Sequence, residues 1–177
     1  MNEVLEYKAT SDGRGYAVTK RKDKMATDIE IATVFADKPV VEIADYAFWG
    51  YSNLTAVRIP EGVTKIGISG FWGCCVLQEV HLPDGVKTLG RAAFSECRQL
   101  KNIVIPLSLE SIGPYAFCDC DELKAVYYKG TREDWKKIAI AERNEELLEP
   151  PRYYYSEDKP EKKGKFWHFV DGIPTKW

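Results

Sequence analysis

The chain has 177 residues, room for one ordinary domain or one short solenoid, and its 45% hydrophobic content is that of a folded protein, which excludes disorder throughout. Lys and Arg number 25 against 27 Asp and Glu, so there is no global field or basic arm of the kind a nucleic-acid binder uses. No apolar run approaches the ~18 residues of a membrane span, which argues against membrane insertion, and Met1-Asn2-Glu3-Val4 carries neither a basic leader nor an apolar core. The expected location is therefore the cytoplasm, with the cell surface as the alternative if the sequence is a fragment or a mature form.

From Val4 to Lys8 apolar and polar residues alternate, Ser11-Asp12-Gly13-Arg14-Gly15 is dense in turn formers, and alternation resumes from Tyr16 to Thr19. This pattern predicts a β-hairpin. Arg21-Lys22-Asp23-Lys24 reads as a solvated charged loop, Asp28 to Ile31 as a short strand, and Asp37-Lys38-Pro39 as the lead into the central region. Residues 1–39 are expected to form an N-terminal β cap over the open end of that region.

From Val40 to Thr131 the sequence repeats itself four times, with anchors Phe48, Phe71, Phe94 and Phe117 each 23 residues apart. A fixed period in this range signals a solenoid or array. The copies overlay without a gap: Val40, Val63, Val86 and Leu109 correspond, as do Ile43, Ile66, Leu89 and Ile112, and Leu54, Leu77, Leu100 and Leu123. The run Leu-x-x-Val/Ile-x-Ile/Leu ends at Pro60, Pro83 and Pro106, where a residue without an N–H stops a strand. Each repeat should therefore contribute one parallel strand. A shorter extended edge of the Val63-x-x-Ile66 type should lie on the opposite wall, with a helical or 3₁₀ turn of the Tyr46-Ala47-Phe48 type between them. Ala44, Gly67, Gly90 and Gly113 are read as small residues that let the backbone turn sharply.

These positions resemble the BspA-type leucine-rich repeat, whose consensus runs approximately Val-x-x-Ile-Gly-x-x-Ala-Phe-x-x-Cys-x-x-Leu-x-x-Val-x-Ile-Pro. The flanks Tyr127-Tyr128-Lys129-Gly130-Thr131, Tyr153-Tyr154-Tyr155-Ser156-Glu157 and Trp167-His168-Phe169-Val170-Asp171-Gly172-Ile173-Pro174 look like those of such proteins. The resemblance implies a leucine-rich-repeat solenoid of the kind often found in bacterial cell-surface proteins that act in adhesion and protein binding. It implies no catalytic residues.

After the repeats, Thr131 can cap a helix with Asp134, and Trp135, Ile138 and Ile140 supply its buried face, closing the far end. Asn144 to Leu148 forms a second helical turn before Pro150-Pro151, and Arg152 to Ser156 a strand. Phe166–Val170 and Ile173–Trp177 flank Asp171-Gly172, a strong hairpin signal. Residues 132–177 are expected to form a C-terminal helix and hairpin cap, continuous with the rest as one structural domain.

The residues that look chemical are absorbed by the period. Cys74, Cys97 and Cys120 share one repeat position and should stack as a column of buried thiols; with no Cys-x-x-Cys pair and no suitably spaced His, no metal site is expected. Gly67, Gly70 and Gly73 have the wrong spacing for a phosphate loop, and Asn53-Leu54-Thr55 is discounted as an N-glycosylation acceptor. Neither a hydrolase elbow nor a zinc-protease motif occurs, so no catalytic residue and no cofactor are assigned. Trp49 and Trp72 are read as packing against the N-terminal cap, with a binding platform as the alternative.

What remains is the outward strip of the main strands: Ala56, Arg58, Glu79, His81, Asn102, Val104, Ala125 and Tyr127. Solenoids commonly use such a strip for partners. The expectation is a non-catalytic interaction module that binds a protein of unknown identity there. A structural spacer or terminal piece of a larger repeat protein is the alternative, and an enzyme has little support.

Overall fold

A computed structural model describes residues 5–177 apart from 22 and 23, and apart from the side chain of Arg21. The first four residues and Lys22-Asp23 of the charged loop Arg21-Lys22-Asp23-Lys24 therefore lie outside the described residues. In chain order the strands and helices are β1 (Leu5–Ala9), β2 (Tyr16–Arg21), β3 (Asp28–Glu30), β4 (Val34–Phe35), β5 (Lys38–Ile43), β6 (Ala56–Arg58), β7 (Lys65–Ile66), β8 (Glu79–His81), β9 (Thr88–Leu89), β10 (Asn102–Ile105), β11 (Ser111–Ile112), β12 (Ala125–Tyr128), α1 (Arg132–Trp135), β13 (Ala139–Ile140), α2 (Glu145–Leu148), β14 (Arg152–Tyr155), β15 (Phe166–Val170) and β16 (Ile173–Lys176).

The chain winds as a solenoid with two walls. Wall A runs β1-β2-β5-β7-β9-β11-β13, with parallel pairing from β2 onward. Wall B runs β8-β10-β12-β14-β15-β16, and a separate parallel pair, β3 with β6, continues it at the N-terminal end. Each wall thus extends by at least one strand at either end beyond the four periodic copies. Hairpins finish the two ends: β1 pairs antiparallel with β2, and β15 with β16 across Asp171 (φ 50°) and Gly172 (φ 78°), both left-handed as a tight hairpin turn requires.

The core follows the period. The four phenylalanines are fully buried and stack face to face, with centroids 5.1 Å (Phe48–Phe71), 5.2 Å (Phe71–Phe94) and 5.6 Å (Phe94–Phe117) apart. This separation is close to the spacing of hydrogen-bonded strands, so one register stacks every equivalent side chain on its neighbours. Inward residues of the walls, among them Val40, Ile43, Leu54, Ile66, Leu77, Val86 and Leu100, complete the apolar column.

Three local readings change in the structure. The Tyr46-Ala47-Phe48 segments are not helical: Tyr46, Ser69, Ala92 and Tyr115 have φ between 51° and 61°, and amides alternate in direction. Ala47, Trp49 and Tyr51 donate back three residues, while Tyr46, Phe48 and Gly50 donate at 2.8 Å to Ile68, Gly70 and Trp72 of the next rung. A left-handed residue in each turn is what releases those amides from a helical ladder.

The glycines that follow wall A are required by close approach rather than by bending. A Cβ on Gly90 would lie 2.6 Å from the carbonyl carbon of Gly67, and one on Gly113 would lie 2.7 Å from that of Gly90. Finally, Ile140 lies in β13, paired with Ile112 of β11, because α1 spans only four residues and the chain returns to wall A. The capping box itself is formed: Thr131 Oγ1 accepts from the Asp134 amide at 3.2 Å, and Asp134 Oδ2 accepts from the Thr131 amide at 3.2 Å.

Candidate functional site

The strip expected to face outward on wall B does point away from the solenoid core, but three of its eight residues are covered. Ala56, Arg58, Glu79 and His81 are exposed and Asn102 is half-buried. Val104 and Ala125 are 1% exposed and Tyr127 6%, which corrects the expectation that these three form an open surface. They belong to a second apolar cluster with Trp167 at its centre and Tyr153 against it.

The cause is the C-terminal hairpin. β15 pairs with β14 and extends wall B, and Trp167 on it is completely buried. Its indole Nε1 donates to the Tyr128 carbonyl at 2.9 Å, and its ring meets Tyr127 edge-on at 5.4 Å. Ala125 joins that cluster with no side chain beyond Cβ, so the large indole is accommodated on the outer face. Phe169, two residues on and on the same side of β15, packs edge-on against Trp167 at 4.8 Å.

Between this cover and the first turns lies an open groove of about 720 Å³. Arg58, Glu79 and His81 line one part of it, and Val104, Lys129 and Phe169 the other. Arg58 is 73% exposed and only loosely paired with Glu30 at 3.9 Å, an exposed contact that contributes at most about 1 kcal/mol. The Glu79 carboxylate accepts from Asn102 Nδ2 at 3.2 Å. His81 remains solvent-accessible, yet desolvation against the groove lowers its pKa, opposed by Glu79 and assisted by Lys129. Lys129 is held by Asp84 at 2.7 Å and lies 5.5 Å from the Phe169 ring centroid. The Asp84–Lys129 pair and Phe169 also border a second cavity, of about 640 Å³, floored by Leu107 and Tyr155. Sequence reasoning missed Lys129 and Phe169; the alternation Trp167-x-Phe169 placed both rings on one face, but nothing in it showed which surface that face would meet.

The cysteine column forms as the spacing requires. Cys74, Cys97 and Cys120 are buried, and each thiol donates to the carbonyl of a phenylalanine: Phe48 at 3.4 Å, Phe71 at 3.3 Å and Phe94 at 3.2 Å. Burial pushes Cys74 up to about 12 and holds Cys97 and Cys120 well above the ordinary thiol range. All five cysteines are free. Cys118, Asp119 and Glu146 bring ligand-type atoms within 4.8 Å of one another. Burial and the adjacent Asp119 carboxylate raise the Cys118 pKa. Trp49 and Trp72 stack at 5.6 Å, with the Lys24 ammonium of the N-terminal segment 4.8 Å over Trp49. Among the described residues no helix is long and apolar enough to cross a membrane.

Comparison with known proteins agrees with this geometry. A family model described as the BspA type leucine rich repeat region matches residues 27–144 in six copies. A search of curated proteins finds no match. Among solved structures, the chain is similar to a leucine-rich repeat protein from Bacteroides ovatus at 31% identity and a TM-score of 0.67, covering 80% of this chain and 36% of that one. It is also similar to one from Bacteroides capillosus at 26% identity and a TM-score of 0.62, covering 73% of this chain and 97% of that one. A leucine rich cell surface protein from Faecalibacterium prausnitzii shares the fold at 24% identity and a TM-score of 0.60, over 76% of this chain and 40% of that one.

Proposed function

The chain belongs to the BspA-type leucine-rich repeat family, and on that premise we propose that it is a non-catalytic interaction module whose protein partner binds in the groove on wall B. The observation that carries the reading is the groove itself: exposed Arg58, Glu79 and His81 beside Val104, Lys129 and Phe169. A mixed set of charged and apolar groups around a concavity suits a polypeptide surface better than a single small anion or cation. Tyr127, buried under Trp167, takes no part in direct recognition.

The test is an unbiased pulldown with the purified chain against the Arg58→Ala/His81→Ala double variant, with circular dichroism to establish that both are folded. A partner retained by the native chain and lost by the variant supports the groove; equal retention by both refutes it. Turnover of a substrate that depends on His81 would overturn the non-catalytic reading.

A further inference from the structure

The C-terminal cap carries a concavity of its own. A cavity of about 540 Å³ lies between α1, the Pro150-Pro151 turn and the loop that leads into β15. Arg132 and Lys136 of α1 line it, together with Arg152 of β14 and Lys165 of the loop, against one carboxylate, Glu149. It shares no lining residue with the wall B groove.

Local structure draws these cations to one place. The two prolines follow α2 and send the chain into β14, where Arg152 lays its guanidinium 4.3 Å over the Trp135 ring and donates to the Leu148 carbonyl at 3.1 Å. The Tyr154 amide donates to the Lys165 carbonyl at 2.9 Å, which ties the loop alongside β14. A Cβ on Gly164 would collide with the Phe166 ring, so glycine is what lets the loop pass beside it. Across the cavity the Arg132 guanidinium lies 5.9 Å from the Tyr154 ring centroid.

The charges are not balanced within the chain. Lys136 is paired with Glu133 at 3.0 Å, but among the described residues Arg132, Arg152 and Lys165 make no ion pair. Arg152 is half-buried, and its buried Nε has no hydrogen-bond partner. Cations that line one cavity repel each other, and a partly buried one without a counterion gives up hydration that nothing restores. An anion in the cavity relieves both.

The lining also selects among anions. Three uncompensated cations suit a group with about two negative charges, which a phosphoryl group carries near neutral pH and a single carboxylate or sulfate ester does not. Guanidinium forks match phosphate oxygens in pairs, and an ammonium adds a point charge. Trp135 is 6% exposed and covered by Arg152, so it offers no open face on which a flat ligand could stack. We propose that the cavity binds a dianionic phosphoryl group, as free phosphate or as a phosphate monoester, between Arg132, Arg152 and Lys165.

Isothermal titration of the purified chain with inorganic phosphate, glucose 6-phosphate and glucose 6-sulfate tests this at about 0.15 M salt. Saturable binding of a phosphate is expected, with the sulfate ester about tenfold weaker or worse. Tighter binding of glucose 6-phosphate than of phosphate assigns an esterified source, and equal binding a free one. Arg132→Gln/Lys165→Gln, at two exposed positions, should weaken the phosphate by about tenfold or more with circular dichroism unchanged. Lys162→Gln/Lys163→Gln, in the same loop but outside the cavity, should stay within about twofold. Lys165→Gln alone keeps the comparison readable if Arg132→Gln disturbs α1.

No saturable binding, equal affinity for the sulfate ester, or equal losses from the two double variants would overturn the proposal, the last by reducing it to surface charge. A glutamate-rich peptide that binds more tightly than either phosphate and depends on Arg132 and Lys165 would assign the cavity to an acidic protein segment and likewise overturn it.

Discussion

Replacing Phe94 with Ala probes the rung stack where it is most constrained. Phe94 is fully buried and lies between Phe71, at 5.2 Å and 4° from parallel, and Phe117, at 5.6 Å and 15°. Truncation removes about 2 kcal/mol of transfer free energy. A residual cavity of roughly 100 Å³ adds about 2 kcal/mol at ~24 cal/mol per Å³. The total, about 4 kcal/mol, falls in the usual range for Phe→Ala in a core. With a urea m-value of about 2 kcal/mol per molar, the midpoint should fall by about 2 M with m unchanged.

Phe117→Ala, which interrupts one phenylalanine stack instead of two, should cost less by one aromatic pair, about 0.5–1.5 kcal/mol. Urea titration followed by far-UV circular dichroism reads both. A midpoint within about 0.5 M of the native chain for Phe94→Ala, or a larger loss at Phe117, would refute the shared-column argument.

Asn144 is 1% exposed; its Oδ1 accepts from the Phe117 amide at 3.1 Å and its Nδ2 donates to the carbonyls of Ala141 (2.8 Å) and Gly113 (3.1 Å). Asn144→Ala should destabilise by about 2–4 kcal/mol because buried backbone groups lose their partners, read as a fall in melting temperature; a change under about 0.5 kcal/mol would show that water replaces the side chain freely. For the thiols, the folded pKa of Cys74 is raised to about 12, so the neutral form stabilises the fold below the unfolded thiol pKa of about 8.5, and that share is lost as pH rises toward 12. Native protein at about pH 8 should leave Cys74, Cys97 and Cys120 unlabelled by a thiol reagent and expose them to it in urea, as quantified by mass spectrometry. Rapid labelling of the three in the native state would contradict the buried column.

The 23-residue period made most of the fold legible. Each rung meets nearly the same neighbours above and below, so residue type at a repeat position encodes its packing directly: Phe48 to Phe117 had to stack, Cys74, Cys97 and Cys120 had to share a buried column, and Ala56, Arg58, Glu79 and His81 had to face away from it. The hairpin at Asp171-Gly172 and the cap at Thr131 were legible for the complementary reason that turn chemistry is local. The same local logic misassigned the Gly67, Gly90 and Gly113 series to bending, because the close contact they permit is with another rung.

Two decisions belonged to the tertiary structure alone. Val104, Ala125 and Tyr127 occupy outward positions in the repeat register, and only the docking of Trp167 from a strand outside the periodic region buries them. Leu54-Thr55-Ala56-Val57-Arg58-Ile59-Pro60 fits the strand pattern as well as Leu77-Gln78-Glu79-Val80-His81-Leu82-Pro83 does, yet the ladder between these two segments is open. A repeat pattern states which way each side chain points. Whether neighbouring backbones come close enough to bond, and what folds over them, depends on the fit of whole rungs and on contacts between residues far apart in the chain.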